Sequence, residues 1–251
     1  MVDTQTNITP SANGARRPRR VPVWALRFAV AAGVGAAAVC ALSAGVFGSS
    51  AQIAAIVTAL YLCASGAVAA FMRVSYPYAE IGFCNLVTLV RLTLTVSLVA
   101  PVLGGGTPSV WAVFTVAVLA LGLDGVDGWF ARRQGLTSTF GARFDMEVDA
   151  GLGLILALNA LVAGSAGPMV LLLGLPRYAF AGAGLILPWL ARPLPERFGR
   201  KVACVMQMSA LIALQAPVLP PALSGLAVVA AVVALTVSFG RDIRWLYRRR
   251  A

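Results

Sequence analysis

The chain contains no histidine and only nine acidic residues among its 251. Without histidine it lacks the usual general base near neutral pH, the usual zinc ligand and the usual haem ligand. A metal site here has to be built from oxygen donors, which suits magnesium, manganese or calcium. Charge of either sign is scarce. Asp, Glu, Lys and Arg together make up 12%, against about 25% in an ordinary soluble domain. Hydrophobic residues reach 59%, and the mean hydropathy is +0.85. Such a chain cannot cover itself with polar surface, which excludes a soluble globular class. Cysteine carries little information. Cys40, Cys63, Cys84 and Cys204 are scattered through or beside apolar stretches with no CxxC pair. They imply no disulfide framework and read as small apolar packing groups.

What the chain does have is apolar length. Runs at about 22–48, 52–72, 85–103, 110–131, 141–163, 168–190, 202–216 and 222–240 mostly approach the ~20 residues that cross a bilayer as a helix. In lipid each must be helical to satisfy its own backbone. The expected fold class is therefore all-α, a polytopic membrane helical bundle of eight helices, with 202–216 the shortest. Residues 1–21 are polar and end in Arg16, Arg17, Arg19 and Arg20. They read as a disordered basic tail. The first apolar run is much longer than the ~7–15 residue core of a signal peptide, so an uncleaved anchor is expected. The glycines at 104–106 and the prolines of 217–221 mark turns.

The basic residues orient this bundle. With the N-terminus cytoplasmic, the inner segments hold the four N-terminal arginines and Arg73. They also hold Arg132, Arg133, Arg143, Arg192, Arg197, Arg200 and Lys201, and then Arg241, Arg244, Arg248, Arg249 and Arg250. The outer loops near 49–51, 104–109, 164–167 and 217–221 hold none. Arg27, Arg91 and Arg177 remain, inside apolar segments. This asymmetry predicts eight spans with both termini in the cytoplasm. It also accounts for the net charge of +11 without nucleic acid, because no basic patch with interleaved aromatics lies apart from the membrane faces.

Five of the few acids crowd together: Asp124, Asp127, Asp145, Glu147 and Asp149. They sit at the inner end of one span and the start of the next, where carboxylates are costly unless paired or bound to metal. Asp124 and Asp127 are three apart and share a helix face; Asp145 and Asp149 are four apart and share another. The segment 132–140 closes the two helices into a hairpin that can bring these faces together. Four carboxylates around one point repel unless cations intervene, and two divalent ions serve phosphoryl chemistry in such settings. Glu147 lies two residues from both Asp145 and Asp149, which turns it off their face. Gly128 and Ala131 follow Asp124 on its own face, and Gly141 precedes Asp145 by one turn. Singly, each could serve close helix packing. Together with the acids they read as a cleft for a bulky ligand, and Arg132 suits a pyrophosphate oxygen beside it.

The run from Asp124 to Asp149 resembles the CDP-alcohol phosphotransferase signature, D-x2-D-G-x2-A-R-x8-G-x3-D-x3-D, at every fixed position and with no error of spacing. Upstream, Asn85, Thr88 and Arg91 resemble the N-x2-T-x2-R of that family's first core helix. The resemblance spans about 85–240 and implies a six-helix core, to which the first two helices are extra. The chain then divides into the tail 1–21, two extra transmembrane helices in 22–72, the core in 73–240 and a basic cytoplasmic tail in 241–251. The resemblance further implies that Asp124, Asp127, Asp145 and Asp149 hold two Mg2+ or Mn2+ ions. Asp149 would activate the acceptor hydroxyl as general base. Asn85, Thr88, Arg91, Gly128, Ala131, Arg132 and Gly141 would contact the CDP donor. The reaction expected is transfer of a phosphatidyl group from a CDP-linked lipid, CDP-diacylglycerol in the first instance, to an alcohol, with release of CMP, in phospholipid biosynthesis. The expected setting is a bacterial inner membrane with a cytoplasmic active site, and the resemblance leaves room for a homodimer.

The acceptor is read from cations. Arg177 lies deep in its apolar segment and calls for an anionic partner. Arg197, Arg200 and Lys201 stand at a cytoplasmic mouth. A phosphorylated alcohol such as glycerol 3-phosphate suits them, and they are the expected acceptor contacts. The stretch Arg200 to Met208 partly resembles the G-K-x-K-T-x2-Q-M run of phosphatidylglycerophosphate synthases, without its second lysine and its threonine. Tyr178 stands where those enzymes carry a glutamate. Two other classes use membrane carboxylates. An intramembrane prenyltransferase carries separated Asp-rich motifs on distant helices, whereas here one hairpin holds them all. A cation-coupled transporter places its acids near the midplane on broken helices, whereas these lie near one face.

Overall fold

The computed structural model describes residues 23–78, 80–104, 111–134, 138–192 and 198–249, apart from the side chains of 126–134 and 191. Every regular element in it is a helix, as the composition predicts. Helix α1 (Val23–Ala41) runs on through a π-helical turn at Leu42–Val46 and stops at Gly48, whose φ of 62° is one that glycine adopts freely. The Ser50 side chain then caps α2 (Ala51–Ser75) by accepting from the Ile53 N–H at 3.4 Å. Helix α3 (Phe83–Ser97) breaks at Leu98 and resumes briefly as α4 (Val99–Val102). The Leu98 carbonyl at that break accepts a 2.9 Å hydrogen bond from the buried side chain of Asn159, so the interruption leaves no orphaned acceptor there.

Helices α5 (Ala112–Gln134) and α6 (Thr139–Val162) form the expected hairpin, with Ser138 capping α6 through the Gly141 N–H at 3.0 Å. The next apolar segment, read from sequence as one span, is broken. After a 3-10 turn at Pro168–Val170 it forms α7 (Leu171–Gly174) and α8 (Pro176–Ile186), bent by 62°. Pro176 is the cause: it lacks an N–H and crowds the residue before it out of helical geometry. Helix α9 (Phe198–Ala213) is short, and α10 (Pro221–Tyr247) continues well past residue 240. Among the described residues, Val23–Val46, Ala51–Ser75, Phe83–Val102 and Pro221–Tyr247 are long and apolar enough to cross a membrane, and the bent pair makes a fifth if counted as one span. In α5 and α6 the carboxylate motif interrupts the apolar run.

One helix is central. About 72% of the most apolar stretch of Phe83–Val102 is buried, against 17% in the first span and 22% in the second and last. Helix α3 packs against α1, α2, α5 and α6. The outer helices turn residues such as Leu26, Val30, Val34 and Leu226 outward, which in a bilayer means toward lipid. Apolar transfer contributes little to helix association there, so close packing at small residues holds the bundle. Gly35 shows how close it is. A β-carbon at that position would lie 2.1 Å from the Tyr61 hydroxyl and 2.9 Å from the Thr93 hydroxyl. The fully buried Tyr61 thus crosses from α2 into the seam between α1 and α3.

Candidate active site

Three helices bring the sequence-predicted residues together. On α3, the three-residue spacing places Asn85, Thr88 and Arg91 along one stripe, and their exposures are 1%, 3% and 0%. Helix α5 contributes Asp124, and α6 contributes Asp145 and Asp149. One carboxylate oxygen from each of these three acids lies within 4.8 Å of the others. The Arg91 guanidinium is joined to all three. Its Nη1 stands 3.0 Å from Asp124 and also donates to Asp145, and its Nη2 donates to Asp149. Its Nε donates to the Ala120 carbonyl at 3.2 Å, one turn before Asp124. The three carboxylates remain 36–40% exposed while the arginine is wholly covered. The acids are therefore partly open, and the cation that joins them is covered.

This donor set suits a divalent ion. It is composed of hard, anionic oxygens that converge from two helices, with no sulfur or nitrogen ligand, and magnesium or manganese prefers such donors. Asp127, Gly128, Ala131 and Arg132 belong to the helical stretch of α5, but their side chains lie outside the described residues, as does Arg197 altogether.

At the start of α6, a β-carbon on Gly141 would come to 3.2 Å from the Asn85 side-chain oxygen and from the Ser138 hydroxyl. The glycine lets α6 approach α3 at the Asn85 end of the stripe. Asn85 is itself held by Tyr76, which the sequence reading passed over. The Tyr76 hydroxyl donates to the Glu80 carbonyl at 2.9 Å and accepts from the Gly82 N–H at 2.9 Å and from the Asn85 amide at 3.4 Å. Burial raises the Tyr76 pKa, against smaller opposing effects of its hydrogen bonds, so the phenol remains a donor.

The cations expected to meet the acceptor have partners in the protein. Arg177 stands second in α8, directly after the break, and pairs with Glu147 on α6, while its Nε is buried without a partner among the described residues. Glu147 thus faces away from the three aspartates, as its two-residue offset predicts. Arg200 donates to both oxygens of Asp242, at 3.0 and 3.3 Å. Asp242 was not singled out from the sequence, although a lone acid near the C-terminal end of an apolar helix is a usable signal. Arg200, Arg241, Ser238 and Asp242 share with apolar Val202 and Met206 the lining of a cavity of about 320 Å³ between α9 and α10.

A sequence model of the CDP-alcohol phosphatidyltransferases matches residues 82–239. The chain belongs to this family. The match begins at the residue that precedes α3 and ends inside α10, so it takes in the whole carboxylate hairpin and leaves α1 and α2 outside. Comparison with curated proteins gives no match, and comparison with solved structures gives none either. Membership makes the chain a membrane-embedded transferase of phospholipid biosynthesis that moves a phosphatidyl group from a CDP-alcohol to an alcohol acceptor.

Proposed function

We propose that this enzyme transfers the phosphatidyl group of CDP-diacylglycerol to a phosphorylated alcohol such as glycerol 3-phosphate, at the cytoplasmic face of a bacterial inner membrane. The observation that carries the reading is the convergence of Asp124, Asp145 and Asp149 within 4.8 Å, inside a complete family signature. Asp124, Asp127, Asp145 and Asp149 would hold two Mg2+ or Mn2+ ions, which when bound neutralise the diphosphate and the charge on departing CMP. Asn85, Thr88 and Arg91, with Gly128, Ala131, Arg132 and Gly141, form the donor cradle. Asp149 takes the acceptor's hydroxyl proton. The freed oxygen bonds to the phosphorus that carries the lipid, and the bond from that phosphorus to CMP breaks. At the acceptor, Arg177, Arg197, Arg200 and Lys201 receive the phosphate. A dianionic phosphate competes with the single charge of Glu147 for the Arg177 fork.

The test is CMP release by purified protein given CDP-diacylglycerol and a panel of free and phosphorylated alcohols. Turnover with a phosphorylated alcohol is expected. Preferred use of an uncharged alcohol would refute the acceptor assignment, and no CMP release with any acceptor would refute the donor assignment.

A further inference from the structure

Arg91 heads the large side chains that are wholly buried, and its position at mid-helix in α3 gives it no route to solvent. Its partners are the metal-binding acids themselves. Nη1 serves Asp124 and Asp145, Nη2 serves Asp149, and Nε ties the fork to the backbone of α5 at Ala120. An arginine does not give up its proton in a protein, so this cation cannot leave the acids by titration. It can only exchange one set of partners for another. The carboxylate oxygens that converge within 4.8 Å are also the ones a divalent ion would use. An oxygen turned to the guanidinium is turned away from a metal, and two cations in one small, partly dry space repel.

Resting on the metal reading given above, we infer that Arg91 competes with the divalent cations for Asp124, Asp145 and Asp149. It is a resident cation that neutralises the acids and is exchanged off them as metal binds. Three carboxylates this close are mutually repulsive without a counter-charge, and Arg91 holds α3, α5 and α6 together when metal is scarce. In return, metal must displace a part-buried ion-pair network, so the site binds metal more weakly than its carboxylates alone would. A residue that only positioned the acids for metal would have the opposite effect, because its loss would weaken binding.

The experiment uses the full chain purified in detergent, without CDP donor, and reads free Mn2+ by electron paramagnetic resonance during titration. Arg91→Gln should bind Mn2+ about tenfold more tightly than the wild type. Its melting temperature in EDTA should fall below the wild-type value, and saturating Mn2+ should close that gap. Arg91→Lys keeps the charge but not the three-way fork, and should bind Mn2+ with intermediate affinity; it carries the test if the glutamine variant does not fold. Equal or weaker Mn2+ binding by the folded variants overturns this inference while leaving the metal site standing. Absence of Mn2+ binding in the wild type and the variants alike overturns the metal reading as well.

Discussion

Replacing Gly174 by alanine tests how closely the broken span must seat on α6. Gly174 ends α7 and is buried against α6. A β-carbon there would lie 2.9 Å from the Leu154 Cα and 3.0 Å from the Ala157 β-carbon, whereas carbon atoms rest at about 3.5–4.0 Å. The Leu154 Cα is main chain and cannot rotate aside, so α7 and α6 must separate by roughly half an ångström or more. Overpacking of this kind costs about 1–3 kcal/mol. Alanine returns at most about 1 kcal/mol of helix propensity in a long helix, and less in the four residues of α7. With that return small, the net loss is about 1–3 kcal/mol, which for a chain of this size is a fall of about 2–12 °C in melting temperature. Leu154 lies five residues beyond Asp149 on the same helix, so CMP release should fall along with stability. Gly182→Ala is the control. No atom of the described residues lies within 4 Å of a β-carbon at 182, so alanine inside α8 meets no clash, and the melting temperature should hold or rise by up to about 4 °C. The measurement is thermal unfolding in detergent beside CMP release. If Gly174→Ala unfolds at the wild-type temperature, the close approach of α7 to α6 is not what seats the span.

Asp149→Asn should abolish turnover yet retain CDP-donor binding in the presence of metal; near wild-type CMP release would remove Asp149 from the role of base. Activity should require magnesium or manganese and survive a zinc-selective chelator, and full activity after exhaustive EDTA treatment would refute the all-oxygen metal site. Arg177→Ala should raise KM for the acceptor far more than for the CDP donor. Glu147→Gln, which removes the competing carboxylate, should lower the acceptor KM. Equal loss for both substrates in the arginine variant would place Arg177 outside the acceptor pocket.

The carboxylate hairpin was legible because its information is local. Residues three or four apart on a helix share a face whatever else the chain does, and a short connection makes two consecutive helices neighbours. The convergence of Asp124 with Asp145 and Asp149, and the exclusion of Glu147, both follow from that arithmetic. Partner choice across distant helices is not local. Arg91 was read as a donor contact, and nothing in the spacing of Asn85, Thr88 and Arg91 says that its guanidinium meets three acids on α5 and α6. Arg200 and Asp242 are separated by most of α9, a turn and most of α10, so their pairing could not be read either. The N-terminal helices were legible as spans, but their purchase on α3 through Gly35 and Tyr61 depends on a crossing that no periodicity encodes.

The broken span was visible but misread, and the misreading changed what Arg177 meant. Taken as one straight helix over 168–190, the segment puts Arg177 deep among apolar residues, where an arginine costs about 2.5–3.5 kcal/mol at a helix centre. That cost argued for an anion from outside the protein. Gly174 and Pro176 were the signals against a straight helix, since proline removes a backbone donor and restricts the residue before it. With the break in place, Arg177 sits in the first turn of α8 and Glu147 on α6 neutralises it. Its charge therefore no longer demands a substrate by cost alone. The case for an acceptor anion passes to exchange: the pair is partly exposed, 39% at Arg177 and 56% at Glu147, and an exposed pair between single charges contributes only about 0–1 kcal/mol. On the proposed acceptor reading a phosphate dianion can displace Glu147 at little expense, and the buried Nε of Arg177, which has no partner among the described residues, becomes a further donor once the pair opens.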